Sequence, residues 1–418
     1  MKVLAIAPQP FFSPRGTPLS VYYRTLVAAE LGHPIDLLTY GQGVDADIPG
    51  VRIVRIPAFR RLGPVKVGPS LLKAFLDLWI FAYAVGMMAR NRYDVVHAHE
   101  EAVFFCRFLR PIFRFKLIYD LHSILSQQLT NFAFTRSRLL IGLFARLEDG
   151  CLAHADAVIS ISPALAAYAE ARVRDPRAHF LIENSLFDPL RLKEEPAAAD
   201  AESGATRAGN ASTAGGAAHA GEGDPEWLSL AAPERPIILY AGTFESYQGI
   251  GLLLESFARV LASLAPAEPR PFLLLLGGRP EQVEAARRQA GRLGVADDCH
   301  LAGQVPRDRA QRATRHAAVL TSPRTVGDNT PLKIYEQIAS GVPLVATRIG
   351  SHTQVLSDAE CVLVDPLPES MAAGLLAALR GGPEIERRVA GAKRLYEERY
   401  SPAVYREKMQ RLFARLGA

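Results

Sequence analysis

The chain has 418 residues, of which 49% are hydrophobic and 22% are charged. This length exceeds one ordinary domain, and the composition is typical of a globular protein with a large core, so we expect two domains. The four cysteines, Cys106, Cys151, Cys299 and Cys361, lie far apart, which excludes a disulfide framework and a cysteine-rich metal site. We interpret them as reduced core residues of a cytoplasmic protein. We expect no signal peptide, because a strand-like run already begins at Val3.

The net charge of +5 is carried entirely by residues 1–190. This surplus is either ordinary scatter or an attraction to an anionic acceptor or an anionic membrane surface. A pI of about 9.0 would also suit a nucleic-acid-binding protein, but no recognisable nucleic-acid-binding motif accompanies the charge. We therefore expect no nucleic-acid partner.

Short apolar runs alternate with helical patterns through the first half of the chain, beginning with Lys2–Pro8. This alternation predicts a parallel sheet covered by helices on both faces, in which ligands bind at the carboxyl ends of the strands. That edge would carry Gly16, Thr17 and His122. The further apolar runs are Ile35–Tyr40, Val51–Pro57, Asp94–His99, Lys116–His122, Ala157–Ser162 and His179–Asn184, the last of which brings Glu183 and Asn184 to the same edge.

The most apolar stretch of the chain is Phe75–Ala89. Its length and the presence of Asp77 argue against a membrane span. The remaining interpretations are a buried helix and a helix that lies in the membrane interface. The second is favoured by the nearby stretch Phe104–Lys116, where arginines and aromatic residues interleave. The protein would then be cytoplasmic, with peripheral contact to the inner face of the membrane.

Three histidines of the first half invite a functional interpretation. His97 and His99 lie on one face of a predicted strand, an arrangement that can hold a metal ion. No third ligand is evident from the sequence, so we expect no metal site. A lone histidine such as His122 is more often structural, but its place at a strand end favours a role in a binding site.

A low-complexity stretch rich in Ala, Gly and Glu separates the two halves at residues 191–234. It has few side chains to bury, so we expect a linker without chemistry. Strand–helix alternation resumes over residues 235–400 and predicts a second domain of the same α/β type. The predicted division is therefore a first domain at 1–190, the linker, the second domain, and a final helix at 401–418.

The stretch Thr325–Ala346, TVGDNTPLKIYEQIASGVPLVA, predicts a loop, a short helix and a buried strand. Thr330 is suited to cap the helix, Pro331 to its first turn and Gly341 to its end. A helix N-terminus offers unpaired N–H groups and a partial positive charge, so it suits a phosphate.

Two carboxylates of this stretch, Asp328 and Glu336, form a D-x7-E pattern within the longer run P-L-K-I-Y-E-Q-I-A-S-G-V-P-L-V-A. The pattern resembles the retaining, nucleotide-sugar-dependent glycosyltransferases of the GT-B fold, of the group 1, family 4-like type. Most members have Glu where this chain has Asp328. The resemblance implies two doubly wound, Rossmann-like domains facing a cleft, with a nucleotide-sugar donor on the C-terminal domain and the acceptor on the N-terminal one. The final helix would cross back to the N-terminal domain.

The resemblance also implies roles for residues of this block. The first carboxylate, Asp328, would lie near the transferred sugar as a catalytic residue, and the second, Glu336, would bind the ribose of the nucleotide. Asn329 and Thr330 would offer backbone N–H groups to the donor, and Lys333 would add positive charge.

The segment Tyr240–Ile250, YAGTFESYQGI, matches the glycine-containing loop after the first strand of the family's donor domain. Many relatives carry Arg and Lys there to hold the diphosphate, whereas this chain has Thr243 and Gln248. Diphosphate binding would therefore depend on backbone N–H groups, such as that of Gly242, and on cations from elsewhere. The candidate cations are Lys333, Arg279 and Arg324.

Two further turns of the second domain resemble donor-binding loops. Gly277, Gly278 and Arg279 follow a predicted strand, where glycines allow the backbone to approach a ligand closely. The loop at Val305 resembles the one whose backbone reads the nucleobase.

In the first domain, Gly16 and Thr17 resemble the family's glycine-containing segment near the donor phosphates or the acceptor. This segment is not G-x-G-x-x-G, which argues against a dinucleotide-dependent dehydrogenase. His122 matches a histidine that relatives place beside the transferred sugar, so the resemblance implies that it is a catalytic residue.

The sequence thus predicts a retaining glycosyltransferase that moves a sugar from a nucleotide diphosphate sugar to a hydroxyl of a glycan or lipid-linked acceptor. By resemblance it would need no metal ion and no cofactor besides the donor substrate. Two alternatives remain open. One is a nucleotide-sugar epimerase of the same fold, and the other is a non-catalytic nucleotide- or sugar-binding protein, which the uncharged Thr243 and Gln248 would suit.

Overall fold

The computed structural model describes residues 1–12, 16–59, 63, 65, 68, 70–127, 137–184, 235–327 and 329–417. Within these residues the chain forms two α/β domains, each built on one parallel sheet. This confirms the predicted fold class. The predicted linker and the catalytic candidate Asp328 lie outside the described residues.

The first domain is built on seven parallel strands. They are β1 (Val3–Ala7), β2 (Ile35–Thr39), β3 (Val51–Arg55), β4 (Val95–His99), β5 (Lys116–Leu121), β6 (Ala157–Ser160) and β7 (His179–Leu181). Their order in the sheet is β3-β2-β1-β4-β5-β6-β7, which is doubly wound outward from β1 and β4. All residues of β1, β2 and β4 are buried, as expected of strands covered on both faces.

Helices cover both faces of this sheet. They are α1 (Gly16–Glu30), α2 (Leu71–Arg90), α3 (Ala102–Phe113), α4 (Arg138–His154) and α5 (Pro163–Glu170), with a 3-10 turn at Pro176–Ala178.

The second domain repeats the design with six strands. They are β8 (Ile237–Ala241), β9 (Phe272–Leu276), β10 (Cys299–Gly303), β11 (Ala317–Ser322), β12 (Leu344–Thr347) and β13 (Val362–Val364), in the order β10-β9-β8-β11-β12-β13. Its α-helices are α6 (Ile250–Ala262), α7 (Pro280–Arg292), α8 (Arg307–His316), α9 (Lys333–Ala339), α10 (Gly350–Thr353), α11 (Pro368–Arg380) and α12 (Pro383–Leu395). Short 3-10 helices lie at Ser246–Gln248 and Ala296–Asp298, and a π-helical turn at Tyr396–Tyr400 leads into the final helix, α13 (Pro402–Gly417).

The helix of the Thr325–Ala346 block is shorter than its sequence predicts. The prediction that Thr330 caps this helix is wrong, because α9 begins at Lys333. The Thr330 hydroxyl instead accepts a hydrogen bond from Gln354 Nε2 at 2.8 Å. With seven residues, α9 has about two turns, so the helix dipole contributes less to anion binding here than the sequence suggested.

The final helix, α13, packs on the first domain. Its buried residues Tyr405, Met409, Leu412 and Phe413 join the core that covers one face of the first sheet. Lys408 Nζ also donates to Glu183 Oε2 at 2.6 Å. The chain therefore links the two domains both between β7 and β8 and through α13.

Helix α2 has 20 residues and is long and apolar enough to span a membrane by length and composition, with a mean hydropathy of 1.6 over an 18-residue window. No other helix of the described residues passes that test. One stripe of it, Leu76, Ile80, Ala84 and Met88, is buried in the core of the first domain. Asp77 accepts a hydrogen bond from the Tyr40 hydroxyl. The interpretation as a buried helix is therefore correct for one face only.

The outer faces of α2, α3 and α4 form a continuous exposed surface, which we call the apolar face. The rings of Phe81 and Phe105 lie 5.5 Å apart and join α2 to α3, and the rings of Phe104 and Phe144 lie 5.8 Å apart and join α3 to α4. The exposed apolar side chains are Leu71, Leu78, Trp79, Phe81, Phe108, Ile112, Leu139, Leu140 and Leu143. Exposed basic residues on the same helices and the adjoining turns are Arg90, Arg92, Arg114, Lys116, Arg138 and Arg146.

Candidate functional site

The strand order of the second sheet reverses between β8 and β11. Loops that leave two such strands diverge to opposite faces of the sheet and open a crevice at its carboxyl edge. In this crevice Gly249 has a φ of +75°, and a Cβ there would lie 1.9 Å from the carbonyl oxygen of Pro323. The backbone N–H of Thr325 donates to the carbonyl oxygen of Tyr247 at 2.9 Å. The loops after β8 and β11 therefore run side by side, and only glycine fits at position 249.

Gly242 and Gly277 bring the loops after β8, β9 and β10 into direct backbone contact. Gly242 N donates to Leu276 O at 2.9 Å, and Gly277 N donates to Gly303 O at 2.6 Å. A Cβ on Gly277 would lie 1.9 Å from Gly242 O. The absence of side chains here leaves backbone groups at the floor of the crevice, where they can meet a ligand.

Lys333 brings a buried amine into this crevice. A Cβ on Gly242 would lie 3.5 Å from Lys333 Nζ, and Nζ lies 4.0 Å from the centre of the Tyr240 ring. The residue is partly exposed, but its nitrogen is buried and has no hydrogen-bond partner among the residues that the structure describes. Burial, with a smaller contribution from Arg324, lowers the pKa of the Lys333 ammonium to about 7.

Two other predicted donor-binding residues surround the same ring. The Tyr240 hydroxyl donates to the carbonyl oxygen of Thr243 at 2.6 Å, and Gln248 Oε1 lies 3.4 Å from it. The structure thus brings Gly242, Thr243, Gln248 and Lys333 together around Tyr240.

Arg279, another candidate cation, is already paired with two carboxylates. Its side chain is about half exposed and forms ion pairs of 2.7 Å with both Glu245 and Glu281. The preceding Gly278 lies against the ring of Phe244, which a Cβ would approach to 2.7 Å. Gly278 and Arg279 therefore build the turn into α7, and the arginine's charge is neutralised locally.

Arg324 holds the shape of the loop after β11. It donates to the carbonyl oxygens of Val326 at 2.8 Å and of Asn329 at 2.9 Å, on either side of Asp328. Of the three candidate cations, Lys333 is the one whose nitrogen has no acceptor.

Glu336 lies at the boundary between the two domains. Its Oε1 accepts a hydrogen bond of 2.5 Å from Arg307 Nη2, and Arg307 Nη1 lies 3.4 Å from the hydroxyl of Tyr23 in α1. Arg307 therefore bridges Glu336 to the first domain. Ribose hydroxyls that bind Glu336 must share the carboxylate with this arginine or displace it.

The remaining donor-binding candidates lie near the ends of strands. Val305 follows β10 and is partly buried against the second domain's core. Gly16 and Thr17 begin α1 in the first domain. Their place beside the donor therefore stays a prediction.

A histidine cluster lies at the carboxyl edge of the first sheet. His122 Nε2 lies 3.1 Å from His99 Nδ1 and 3.4 Å from Asp120 Oδ1, and His97 Nε2 lies 3.0 Å from Asp120 Oδ2. His122 is buried, and within the described part of the chain its Nδ1 has no hydrogen-bond partner. Burial lowers the pKa of His122, although the neighbouring Asp120 opposes the shift. The imidazole is therefore kept neutral at pH 7, so it can either accept or donate a hydrogen bond at the cleft.

Arg24 anchors this cluster from beneath. Its Nε donates to Asp120 Oδ2 at 3.1 Å, its Nη1 to the Tyr405 hydroxyl at 2.6 Å and its Nη2 to Ile182 O at 2.6 Å. Burial disfavours the Asp120 carboxylate, but His122 and Arg24 outweigh that penalty and hold its pKa well below the ordinary value. One buried guanidinium thus joins β5, the end of β7 and α13.

His97, His99 and Asp120 place three potential metal-ligand atoms within 4.8 Å of one another. Asp120 is the third ligand that sequence spacing alone did not reveal. However, the Arg24 guanidinium lies 3.1 Å from one carboxylate oxygen, and a fixed positive charge at that distance disfavours a divalent cation. The nearby guanidinium of Arg24 thus favours the prediction that the protein needs no metal ion, which stays a prediction.

Sequence reasoning missed Arg24, Arg307 and Tyr23. Arg24 had one usable signal, which is a charged residue within the otherwise apolar pattern of its helix. Arg307 and Tyr23 had none, because their contact joins residues 284 positions apart.

Two Rossmann-like domains, with a crevice at the switch point of the second sheet, define a two-domain α/β protein of the GT-B architecture. Two family models match the chain. The Glycosyl transferase 4-like domain matches residues 22–184, and Glycosyl transferases group 1 matches residues 235–381. Together they cover most of both domains, and the chain belongs to the group 1 glycosyltransferases.

Curated relatives match over part of their length. A phosphatidyl-myo-inositol mannosyltransferase of Mycobacterium leprae (strain TN) is 29% identical over 180 residues, which are 42% of this chain and 46% of the relative. A protein of the same name from Mycobacterium tuberculosis (strain ATCC 25618 / H37Rv) is 31% identical over 185 residues, again 42% and 46%. A D-inositol 3-phosphate glycosyltransferase of Acidothermus cellulolyticus is 29% identical over 34% of this chain and 33% of its own length. The chain thus matches less than half the length of these relatives.

Solved structures match over nearly the whole chain. Sucrose-phosphate synthase from Thermosynechococcus elongatus has a TM-score of 0.68 and 18% identity, and the match covers 100% of this chain and 99% of that one. Anabaena HepE in complex with UDP has a TM-score of 0.68, 14% identity and coverage of 99% and 100%. WaaG, a glycosyltransferase involved in lipopolysaccharide biosynthesis, has a TM-score of 0.63, 13% identity and coverage of 98% of both chains. These likenesses show that the fold is shared.

We expect Arg24→Met to lower the free energy of unfolding of the first domain by about 3–5 kcal/mol, because it removes the guanidinium that pairs with the buried Asp120 carboxylate and leaves that charge with the neighbouring histidines alone. Urea denaturation followed by circular dichroism measures the change. The matched control is Arg406→Met on α13, whose arginine forms an exposed ion pair with Glu30 and should matter by less than about 1 kcal/mol. Equal losses in the two variants would contradict the role assigned to Arg24.

Proposed function

We propose that this protein is a retaining, metal-independent glycosyltransferase, which moves a sugar from a nucleotide diphosphate sugar to an acceptor hydroxyl. The observation that carries the proposal is the crevice at the β8–β11 switch point, where glycine backbone and Lys333 meet, in a chain whose two domains both match glycosyltransferase models. Glu336 lies one turn beyond Lys333 on α9.

The donor would lie on the second domain. The backbone at Gly242 and Gly277 suits the diphosphate, because the missing Cβ atoms let an anion approach closely. The N–H groups of these two glycines donate to Leu276 O and Gly303 O, so N–H groups of neighbouring residues would bind the anion. The Glu336 carboxylate suits the two ribose hydroxyls, which are hydrogen-bond donors. Support comes from HepE, a protein of the same fold solved with UDP and with UDP-glucose.

The acceptor would enter from the first domain, where the neutral His122 presents an unpaired Nδ1. Arg307 already connects the domains through Glu336 and Tyr23. Closure of the cleft would exclude water, which otherwise hydrolyses the donor.

Bond breaking would place negative charge on the departing diphosphate, so fixed donors and cations of the crevice should provide most of the stabilisation. The acceptor oxygen would bond to the anomeric carbon on the face that the diphosphate leaves, and the acceptor proton would pass to the departing phosphate oxygen. Asp328 would lie near the transferred sugar, as the family resemblance implies, without forming a covalent intermediate.

A lipid-linked acceptor is the form that the first domain suits best. Two relatives are named for mannosyl transfer to phosphatidyl-myo-inositol. The apolar face with its exposed arginines suits the boundary between anionic headgroups and acyl chains. We therefore propose peripheral attachment of α2, α3 and α4 to the cytoplasmic surface of a membrane, where the acceptor is presented to the cleft.

The catalytic proposal is tested with UDP-, GDP- and ADP-sugars plus membrane extract, with and without chelator. We expect release of nucleoside diphosphate that chelator does not affect. Glu336→Ala and Asp328→Ala should each lower the rate by at least about tenfold, because each removes a group that would touch the donor.

Two results would contradict this proposal. Conversion of a donor to an isomer without acceptor would indicate an epimerase. Tight donor binding without turnover would indicate a binding protein.

The membrane proposal is tested by sedimentation with phosphatidylglycerol vesicles at low salt. The double variant Leu78→Glu with Ile112→Glu should lose at least about tenfold in vesicle affinity, because burial of one such side chain contributes about 1.5–3 kcal/mol. The matched control is Leu367→Glu, an equally exposed leucine of the second domain. Absence of wild-type binding, or an equal loss in the control, would count against peripheral attachment.

A further inference from the structure

The donor crevice lacks the two cations that the family resemblance places after β8, since Thr243 and Gln248 occupy those positions. A diphosphate carries two negative charges, and their removal from water is costly without a paired cation. The crevice must therefore bring positive charge from another element, or bind the donor weakly.

We propose that Lys333 replaces the missing cation at position 248, and that donor binding draws a proton from solvent onto its amine. This inference rests on the proposed function, because it takes the anion in the crevice to be the diphosphate of a nucleotide sugar.

Position supports the replacement. Lys333 reaches from α9 to the ring of Tyr240, with Nζ 4.0 Å from the ring centre, and Gln248 reaches the hydroxyl of the same ring from the loop after β8. Nζ also lies beside Gly242, where a Cβ would approach it to 3.5 Å. A positive charge on Lys333 therefore lies in the same part of the crevice that a lysine at position 248 would reach.

The state of the amine supports the need for a ligand. Its nitrogen is buried, with no hydrogen-bond partner in the ranges that the structure describes, and the π-face of Tyr240 only partly replaces the lost water. Within the described residues no carboxylate forms an ion pair with Lys333. The oxygens of a diphosphate would supply the acceptors that the protein does not.

The groups that face Nζ determine how pH acts. They are Tyr240 on β8, Arg324 in the loop after β11 and His352 on α10. The positive charge of Lys333 contributes, after burial, to the lowered pKa of His352. None of them is an anion at neutral pH. Burial and Arg324 lower the pKa of Lys333 to about 7, so the free protein holds much of this amine neutral. An adjacent diphosphate would raise the pKa of Lys333, so the amine would take up a proton when the donor binds. Donor affinity should therefore fall as the pH rises above about 7.

The test measures the affinity for UDP-glucose, GDP-mannose and ADP-glucose by calorimetry between about pH 6 and pH 9. Sugar diphosphates stay fully ionised over this range, so any pH dependence belongs to the protein. For the tightest binder we expect the wild-type affinity to fall up to tenfold per pH unit above about pH 7. Lys333→Gln should bind at least about tenfold more weakly at pH 6 and show no such decline.

A rescue variant separates charge from structure. Gln248→Lys added to Lys333→Gln should restore affinity at pH 6, because it returns a positive charge to the same part of the crevice. Lys333→Met should raise the melting temperature while it weakens binding, because it removes an unpartnered buried amine. Lys393→Gln, an exposed lysine on α12, is the matched control and should change neither property.

The outcomes are distinct. Wild-type affinity in Lys333→Gln overturns the replacement, and a wild-type affinity that does not change with pH overturns the proton uptake. Failure of the wild-type protein to bind any of the three donors contradicts the proposed function itself, and this inference with it.

Discussion

The reversal of strand order between β8 and β11 is the constraint on which the site depends. Parallel strands deliver their loops to one edge, and the reversal separates two of those loops so that a ligand can lie between them. Gly249 and Gly277 then set how closely the loops approach, since a Cβ at either position would lie 1.9 Å from a carbonyl oxygen. Glycine backbone and Lys333 consequently face one crevice, although they come from separate parts of the chain.

A second constraint holds the first domain's edge in place. Arg24 is fully buried, and the three nitrogens of its guanidinium donate hydrogen bonds to Asp120, Tyr405 and Ile182. Because Tyr405 belongs to α13, the histidine cluster is anchored to a helix that lies beyond the second domain in sequence. The position of His122 is therefore coupled to the packing of the chain's last helix, and a change in the tail can act on the cleft.

The sequence predicts those features whose causes are local. Apolar runs such as Val3–Ala7 and Phe272–Leu276 form buried strands, because a continuous apolar run of this length suits a strand that is covered on both faces. The D-x7-E block likewise predicted a role for Glu336 from local sequence alone, and the structure places this residue on α9 with Lys333. Glycines after strands, including Gly242 and Gly277, were found for the same reason.

Features that depend on distant partners were missed or misplaced. Thr330 was predicted to cap a helix, but its hydroxyl accepts a hydrogen bond from the Gln354 side chain instead. Arg279 looked like a candidate for the diphosphate, but Glu245 and Glu281 neutralise it. Arg307 carried no local signal, because its role arises only when α8, α9 and α1 meet. In each case the deciding group lies on another element, which a periodic pattern cannot reveal.

The central claim is that a nucleotide diphosphate binds in the second-domain crevice. Hydrogen–deuterium exchange with and without saturating UDP tests it most directly, because it reports on the backbone groups that the account assigns to the ligand. We expect slower exchange in Tyr240–Ile250 and in the segment from Asn329 to Glu336, with little change in α2 to α4. Protection confined to the first domain, under conditions where UDP is bound, would contradict the claim.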